Sequence, residues 1–234
     1  MITVIVAAHN SEHTLGAALT ALVPAAIDGI VRQVIVVDGG STDQTAKIAD
    51  LAGADFISNA PGRGRQFAQG AARARFPWLL FLSADTVLAE GWERSATSFM
   101  RSVDLGERSP AAAAFAFRID DNGFRPRLLE RLFQMRCKLS PMPYADQGLL
   151  ISRQLFDAVG GYQDLPVLED VDLARRLGRR RLAMLDAHAI ASSELYRRDG
   201  YLLRSLRNQI CHALFGLGLP INVIARLYRA DAAS

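Results

Sequence analysis

Three groups of polar residues stand where an otherwise apolar chain changes element. Asp85 closes the run Trp78-Leu79-Leu80-Phe81-Leu82-Ser83-Ala84, and Asp38 closes Val31-Arg32-Gln33-Val34-Ile35-Val36-Val37. In open α/β sheets ligands sit beyond the carboxyl ends of the strands, so two strands ending in Asp aim two carboxylates at one crevice. At the end of a second strand such a carboxylate commonly accepts hydrogen bonds from a ribose or a base N–H. Arg63 and Arg65 alternate with Gly62 and Gly64 ahead of a helix, where close backbone approach, a helix N-terminus and guanidinium forks suit a phosphate. Glu169, Asp170 and Asp172 crowd three acids into one turn. Each group also has a plain structural reading. Asp caps turns and helices, glycine punctuates loops, and acids suit a helix's first turn.

The elements that must position these groups alternate strand and helix. Strand Thr3–Ala8 leads through His9-Asn10-Ser11 into a helix running to about Ile27, with Leu15, Leu19, Leu22 and Val23 on one face. No glycine-rich loop follows this strand, which argues against a dinucleotide-binding Rossmann unit. After Asp38, Ser41 and Gln44 have capping-box spacing and predict a helix to Ala52. Strand Asp55–Ser58, the glycine-arginine corner and a small-residue helix Phe67–Arg75 follow. The unbroken apolar run before Asp85 reads as a strand buried on both faces, as in a parallel sheet covered by helices. Beyond it, a helix over 90–103, a strand Ala111–Ile119 and a basic amphipathic helix Phe124–Leu139 are predicted. Then come a short strand Leu149–Ser152, a helix Arg153–Val159 ended by Gly160-Gly161, the acidic helix, a last strand Leu182–Leu185 with His188 just beyond, and helical sequence over 199–229.

With 234 residues, half of them hydrophobic, the chain is long enough for one large α/β domain with a substantial core. The net charge is only +3, so no nucleic-acid partner is expected. Lys47 and Lys138 are the only lysines among 27 basic residues; the arginine bias suits an anionic ligand but equally reflects a GC-rich genome. Cys137 and Cys211 form neither a metal-ligand spacing nor a disulfide framework, which points to a reducing compartment and a cytoplasmic location. The N-terminus lacks a basic leader region and reads as a first strand. The apolar stretch 213–225 is too short to span a bilayer and contains Pro220. The basic helix suits an anionic membrane surface or a lipid-linked substrate, or else a solvated arginine face over an ordinary core stripe.

Taken in order, Ile5-Val6-Ala7-Ala8-His9-Asn10, Val36-Val37-Asp38-Gly39-Gly40-Ser41-Thr42-Asp43, Gly62-Arg63-Gly64-Arg65-Gln66, Leu80–Thr86, Phe156–Tyr162 and Glu169–Leu173 with Arg176 resemble the family-2 glycosyltransferases of the GT-A fold, more narrowly small bacterial non-processive members. The resemblance implies a Rossmann-like, mostly parallel α/β sheet with helices on both faces and a C-terminal, acceptor-side helical segment. It implies one domain over 1–234, with 1–104 binding a nucleotide sugar, 105–198 acceptor and catalytic, and 199–234 the C-terminal helices. The implied activity is inverting transfer of a sugar from a nucleoside-diphosphate sugar to a hydroxyl acceptor, lipid-linked if the basic helix meets a membrane. Donor contacts are implied at Ala7, His9, Asp38, Arg63, Arg65, Ala84 and Asp85. Asp85 would hold Mg²⁺ or Mn²⁺ at the diphosphate, with His188 as a further metal ligand. Asp170 would be the general base, its pKa raised by the like charge of Glu169. Tyr144, Asp146 and Gln147 are placed on the acceptor side. Ser83 departs from the family pattern, because many relatives carry a first acid there. The segment Ser192–Arg198 also departs, which argues against a processive synthase. Two other classes remain open: a nucleotidyltransferase of related fold, which needs a glycine- and arginine-rich loop where His9-Asn10-Ser11-Glu12 stands, and a nucleotide-sugar-binding protein without catalysis.

Overall fold

The computed structural model describes residues 1–121, 123–124, 126–130, 145–193 and 200–229. The apolar runs form the centre of the sheet. Strands β1 (Ile2–Ala8), β2 (Val31–Asp38) and β4 (Trp78–Ser83) are parallel, with β3 (Asp55–Ser58) outside β2. The second half of the sheet is mixed. β7 (Leu149–Ser152) pairs antiparallel with β4, and β6 (Ala112–Ile119), β8 (Leu182–Ala191) and β5 (Thr86–Leu88) complete the order β3-β2-β1-β4-β7-β6-β8-β5. Every residue of β1 and β4 is buried, as unalternating strands covered on both faces must be.

Helices α1 (Leu15–Thr20), α2 (Val23–Ile27), α3 (Thr45–Leu51) and α5 (Trp92–Asp104) cover one face, burying Leu15, Leu22, Ala49, Trp92 and Phe99 against Val4, Val6, Leu80 and Leu82. Helices α4 (Arg63–Arg73), α6 (Arg153–Ala158) and α7 (Glu169–Leu177) cover the other, against Ile5, Val37, Leu79 and Phe81. Burial of one such side chain contributes roughly 1.5–3 kcal/mol. α4 lies unusually close to the sheet, because a Cβ at Gly70 would run into the side chains of Ile5 and Val37. The last two helices, α8 (Tyr201–Gly216) and α9 (Ile221–Arg229), turn back and pack Cys211, Ile224 and Ala225 on Val167, Leu168 and Val171. No described helix is long and apolar enough to cross a membrane.

The predicted α/β sheet with helices on both faces is present, with five differences in detail. The first helix is two short ones, since Pro24 is accommodated only in a first helical turn. The Ser41–Gln44 capping box does not form. The Ser41 hydroxyl is drawn instead to Asp38, and Asp43 accepts from the Thr45 N–H at 3.0 Å. α4 begins at Arg63 and not at Phe67, so both arginines lie in its first turn. β8 runs on to Ala191 and takes His188 into the strand. β5, three residues long, is too short to leave a periodic signal.

Candidate active site

The carboxyl edge of β1, β2 and β4 gathers the first set of candidate residues. Ala8 is in register with Asp38, and Ala7 with Ser83, so Asp38 and Asp85 flank the end of β1 two strand spacings, about 10 Å, apart. Asp38 is buried and its carboxylate accepts from the N–H groups of Gly40 (3.0 Å) and Ser41 (2.8 Å) and from the Ser41 hydroxyl. The plain capping reading thus holds for Asp38, yet two oxygens offer about four lone-pair sites, so these bonds do not exhaust its acceptor capacity. His9 is exposed beside it, Ala7 is buried in the strand end, and the buried Ala84 donates its N–H to Ala7. Asp85 is half-buried, and among the described residues its carboxylate makes no hydrogen bond or ion pair.

A residue the sequence reading passed over holds this edge together. Gln66, buried on α4, donates Nε2 to the carbonyls of both Ala8 and Val37 at 2.8 Å. One amide thus splints the ends of β1 and β2. Its signal was its place in the glycine-arginine corner, one helical turn from Arg63.

The second set meets at the first turn of α7. Leu168 precedes that helix in a left-handed conformation, φ 61°, which costs a branched, apolar residue on the order of 1 kcal/mol or more. Its side chain is buried against the α8–α9 hairpin, and this packing holds the turn. Two successive acids then have different fates. Glu169 is 3% exposed and receives the Arg63 Nε–H in an ion pair. Asp170 is half-exposed, its Oδ1 accepting from the Val171 N–H at 2.8 Å. Arg63 also lies 4.0 Å from Asp146. The pairing with Arg63 opposes the expectation that Glu169 acts as an unbalanced like charge beside Asp170; a buried acid in a close ion pair orients the turn instead. Gly64 permits the contact, since a Cβ there would run into the Gln163 carbonyl and come within 3.1 Å of Glu169 Cβ.

Beneath the turn, Tyr162 stacks among Phe67, Phe81 and Phe156. Burial pushes its phenol well above the ordinary value, and the carboxylates of Asp170 and then Glu169 push it further, so the hydroxyl stays protonated beside the acids. A cavity of about 290 Å³ opens at Asp170, between the segment 166–169 and α8, from which Asn208 and His212 face it. Neither was singled out in the sequence. Their i, i+4 spacing on one helix face was the available signal.

Other candidates lie elsewhere. Arg65 pairs with Asp164 at 2.7 Å on the surface. Gln147 is 1% exposed and donates to the Phe115 carbonyl at 2.9 Å, so it braces the sheet and is closed to an acceptor in this structure. His188 is not beside Asp85. Leu88 is in register with Ala189 and Thr86 with Ala191, so His188 sits four strand residues, about 13 Å, from the position opposite Asp85. Side chains standing perpendicular to the sheet cannot then share one cation. Among the described residues no group of three or more His, Cys, Asp or Glu is arranged to hold a metal. Tyr144, most of the basic helix 124–139 and positions 194–198 lie outside the described residues.

A family model described as glycosyl transferase family 2 matches residues 3–160. A glucosyl-3-phosphoglycerate synthase from Mycolicibacterium paratuberculosis is 26% identical over an alignment 212 residues long that covers 79% of this chain and 63% of that enzyme. The chain therefore spans less than two thirds of that relative's length. The crystal structure of glucosyl-3-phosphoglycerate synthase from Mycobacterium tuberculosis in complex with Mn²⁺, uridine diphosphate and glucosyl-3-phosphoglycerate superposes with a TM-score of 0.61 at 23% identity, over 94% of this chain and 81% of that one. Mannosyl-3-phosphoglycerate synthase from Rubrobacter xylanophilus gives 0.60 at 20% identity, over 93% and 75%. At these identities the two structures establish the likeness of fold.

Proposed function

The chain belongs to glycosyl transferase family 2, and from that membership we propose that it transfers a sugar from a nucleoside-diphosphate sugar to a hydroxyl acceptor, with inversion and with Asp170 as general base. The observation that carries this reading is the division of labour at the start of α7. Glu169 is buried and matched by Arg63, while Asp170 remains half-exposed at the mouth of a cavity. A base must reach the proton it abstracts, and of the two acids only Asp170 meets solvent.

In this reading residues 1–104 hold the donor and 105–198 with the C-terminal helices hold the acceptor. Asp38 accepts from the nucleoside, His9 packs near the base, and Ala7 and Ala84 present backbone at the strand ends. Arg65 is available to the diphosphate, because an exposed ion pair such as that with Asp164 contributes little. Arg63 positions Glu169. The acceptor oxygen gives its proton to the Asp170 carboxylate as it bonds to the anomeric carbon. The bond from that carbon to the phosphate oxygen breaks, and the nucleoside diphosphate leaves with the electron pair.

Asp85 fits a divalent cation. A half-buried carboxylate with no partner among the described residues, at the sheet's ligand edge, matches the way Mg²⁺ is held by one or two carboxylates together with substrate phosphates. When bound, Mg²⁺ or Mn²⁺ neutralises charge developing on the leaving diphosphate. Support comes from the mycobacterial relative, whose structure contains Mn²⁺ and uridine diphosphate.

The test is release of free nucleoside diphosphate from a panel of nucleotide sugars with Mg²⁺ or Mn²⁺. Asp170→Asn is expected to lose about 10²–10⁴-fold in kcat, the ordinary contribution of a general base, with donor affinity kept. Asp85→Ala is expected to lose metal stimulation. Donor binding without turnover of any sugar would replace this reading with a nucleotide-sugar-binding protein.

A further inference from the structure

Resting on that reading, we propose that the cavity between the first turn of α7 and helix α8 is the acceptor site, and that it takes a small, uncharged, polyhydroxylated acceptor held through Asn208. Four observations carry the proposal. Asn208 Oδ1 is a buried oxygen without a hydrogen-bond partner among the described residues. Such an atom is costly unless something donates to it, and a carbonyl oxygen asks for an O–H or N–H. Asn208 and His212 also occupy one face of α8, a helical turn apart, and share the cavity with Asp170. A ligand spanning them presents hydroxyls to both the amide and the base.

The third observation is charge. Along the described lining the arginine, Arg63, is engaged by Glu169, and Asp170 adds a second carboxylate. A phosphate or carboxylate on the acceptor would enter beside Asp170 and meet like charge. The fourth is size. About 290 Å³ lies at the bottom of the range for ligand pockets and suits a molecule no larger than a monosaccharide. α8 lies beyond residues 3–160, the part that the family model matches. The acceptor class proposed here departs from the phosphoglycerate named for the related synthases.

Binding can be read without turnover. Saturation-transfer NMR on the whole chain, with glycerol, glucose and mannose against glycerol 3-phosphate, glucose 6-phosphate and 3-phosphoglycerate, is expected to show the uncharged set bound at least tenfold more tightly. Asn208→Leu is expected to weaken that binding about tenfold, the worth of one hydrogen bond. Asn208→Asp keeps the accepting oxygen and the shape, and is expected to retain binding, which separates a lost contact from a folding defect. Preference for the phosphorylated set, or uncharged binding indifferent to Asn208→Leu, overturns the proposal. Failure of all donors to turn over would instead strike the transferase reading, while polyol binding lost in Asn208→Leu would still stand.

Discussion

The carboxyl edge of β1, β2 and β4, the proposed donor edge, and the first turn of α7, the proposed acceptor turn, lie on one molecule but are held in opposite ways. At the donor edge the fixing contacts are short-range in the fold. Asp38 is bound by its own turn, Gln66 ties two adjacent strand ends, and Asn10 Oδ1 accepts from the Thr42 N–H across one corner at 3.0 Å. The acceptor turn has no such self-sufficiency. Leu168 sits in a conformation that its own backbone disfavours, Glu169 is held by an arginine more than a hundred residues earlier, and the hairpin α8–α9 packs on Leu168. A locally hydrogen-bonded edge should tolerate damage elsewhere. A turn held by three distant elements should fail when any one of them does.

The largest test of that contrast is Ile224→Ala. Ile224 is fully buried in the hairpin, so the truncation is expected to cost about 2–5 kcal/mol in urea unfolding and to lower kcat at least tenfold while the donor KM holds. A donor KM that rose in parallel would show that the two regions are not separate. Next is Gly64→Ala, whose methyl must displace the Gln163 carbonyl. Overpacking of this kind costs roughly 1–3 kcal/mol, and the expected signature in steady-state kinetics is again a kcat defect, although residue 64 touches neither substrate in the proposed mode. Ser41→Ala probes the other side. It removes the hydroxyl between Asp38 and the Asn10 N–H, for about 1 kcal/mol, and should raise the donor KM a few-fold with kcat unchanged. A collapse of kcat in this variant would break the comparison.

The smallest effect concerns alkali. The folded Tyr162 phenol titrates above 10.0 and the unfolded one near 10. Its contribution is therefore complete below about pH 10 and declines above it, because the unfolded chain releases the proton first. Urea melts at pH 8 and 10.5 should show a larger alkaline loss in the wild type than in Tyr162→Phe. Equal losses would mean that the phenol is not held beside the acids.

The asymmetry also explains which features were legible in the sequence. Asp38 and Asp85 end uninterrupted apolar runs, and a run buried on both faces announces its strand and where it stops. The acceptor turn depends on pairings that no local pattern carries. Nothing around Arg63 says that its partner is Glu169, and nothing in Glu169-Asp170 says which of the two acids is buried. Gln147 reads as an exposed acceptor-side residue because it stands in a polar, loop-like stretch, whereas the Phe115 carbonyl draws it inside. His188 reads as lying just beyond the last strand because β8 continues past Leu185 through a small-residue stretch, Ala187, Ala189 and Ala191, with little strand signature of its own. Asn208 and His212 look like two polar residues on an amphipathic helix until the fold sets that helix against α7.

The placement of Asp38 and Asp85 on either side of β1 acts as a ruler. Strand spacing is fixed by backbone hydrogen bonding, so the separation of the strand ends that carry the two carboxylates is set by the sheet and not by side-chain choice. In the proposed binding mode that gap measures the stretch from nucleoside to diphosphate, which is common to all nucleoside-diphosphate sugars whatever sugar they carry. A descendant of this chain could therefore exchange one sugar for another through changes on the cavity side while its grip on the nucleotide stayed the same.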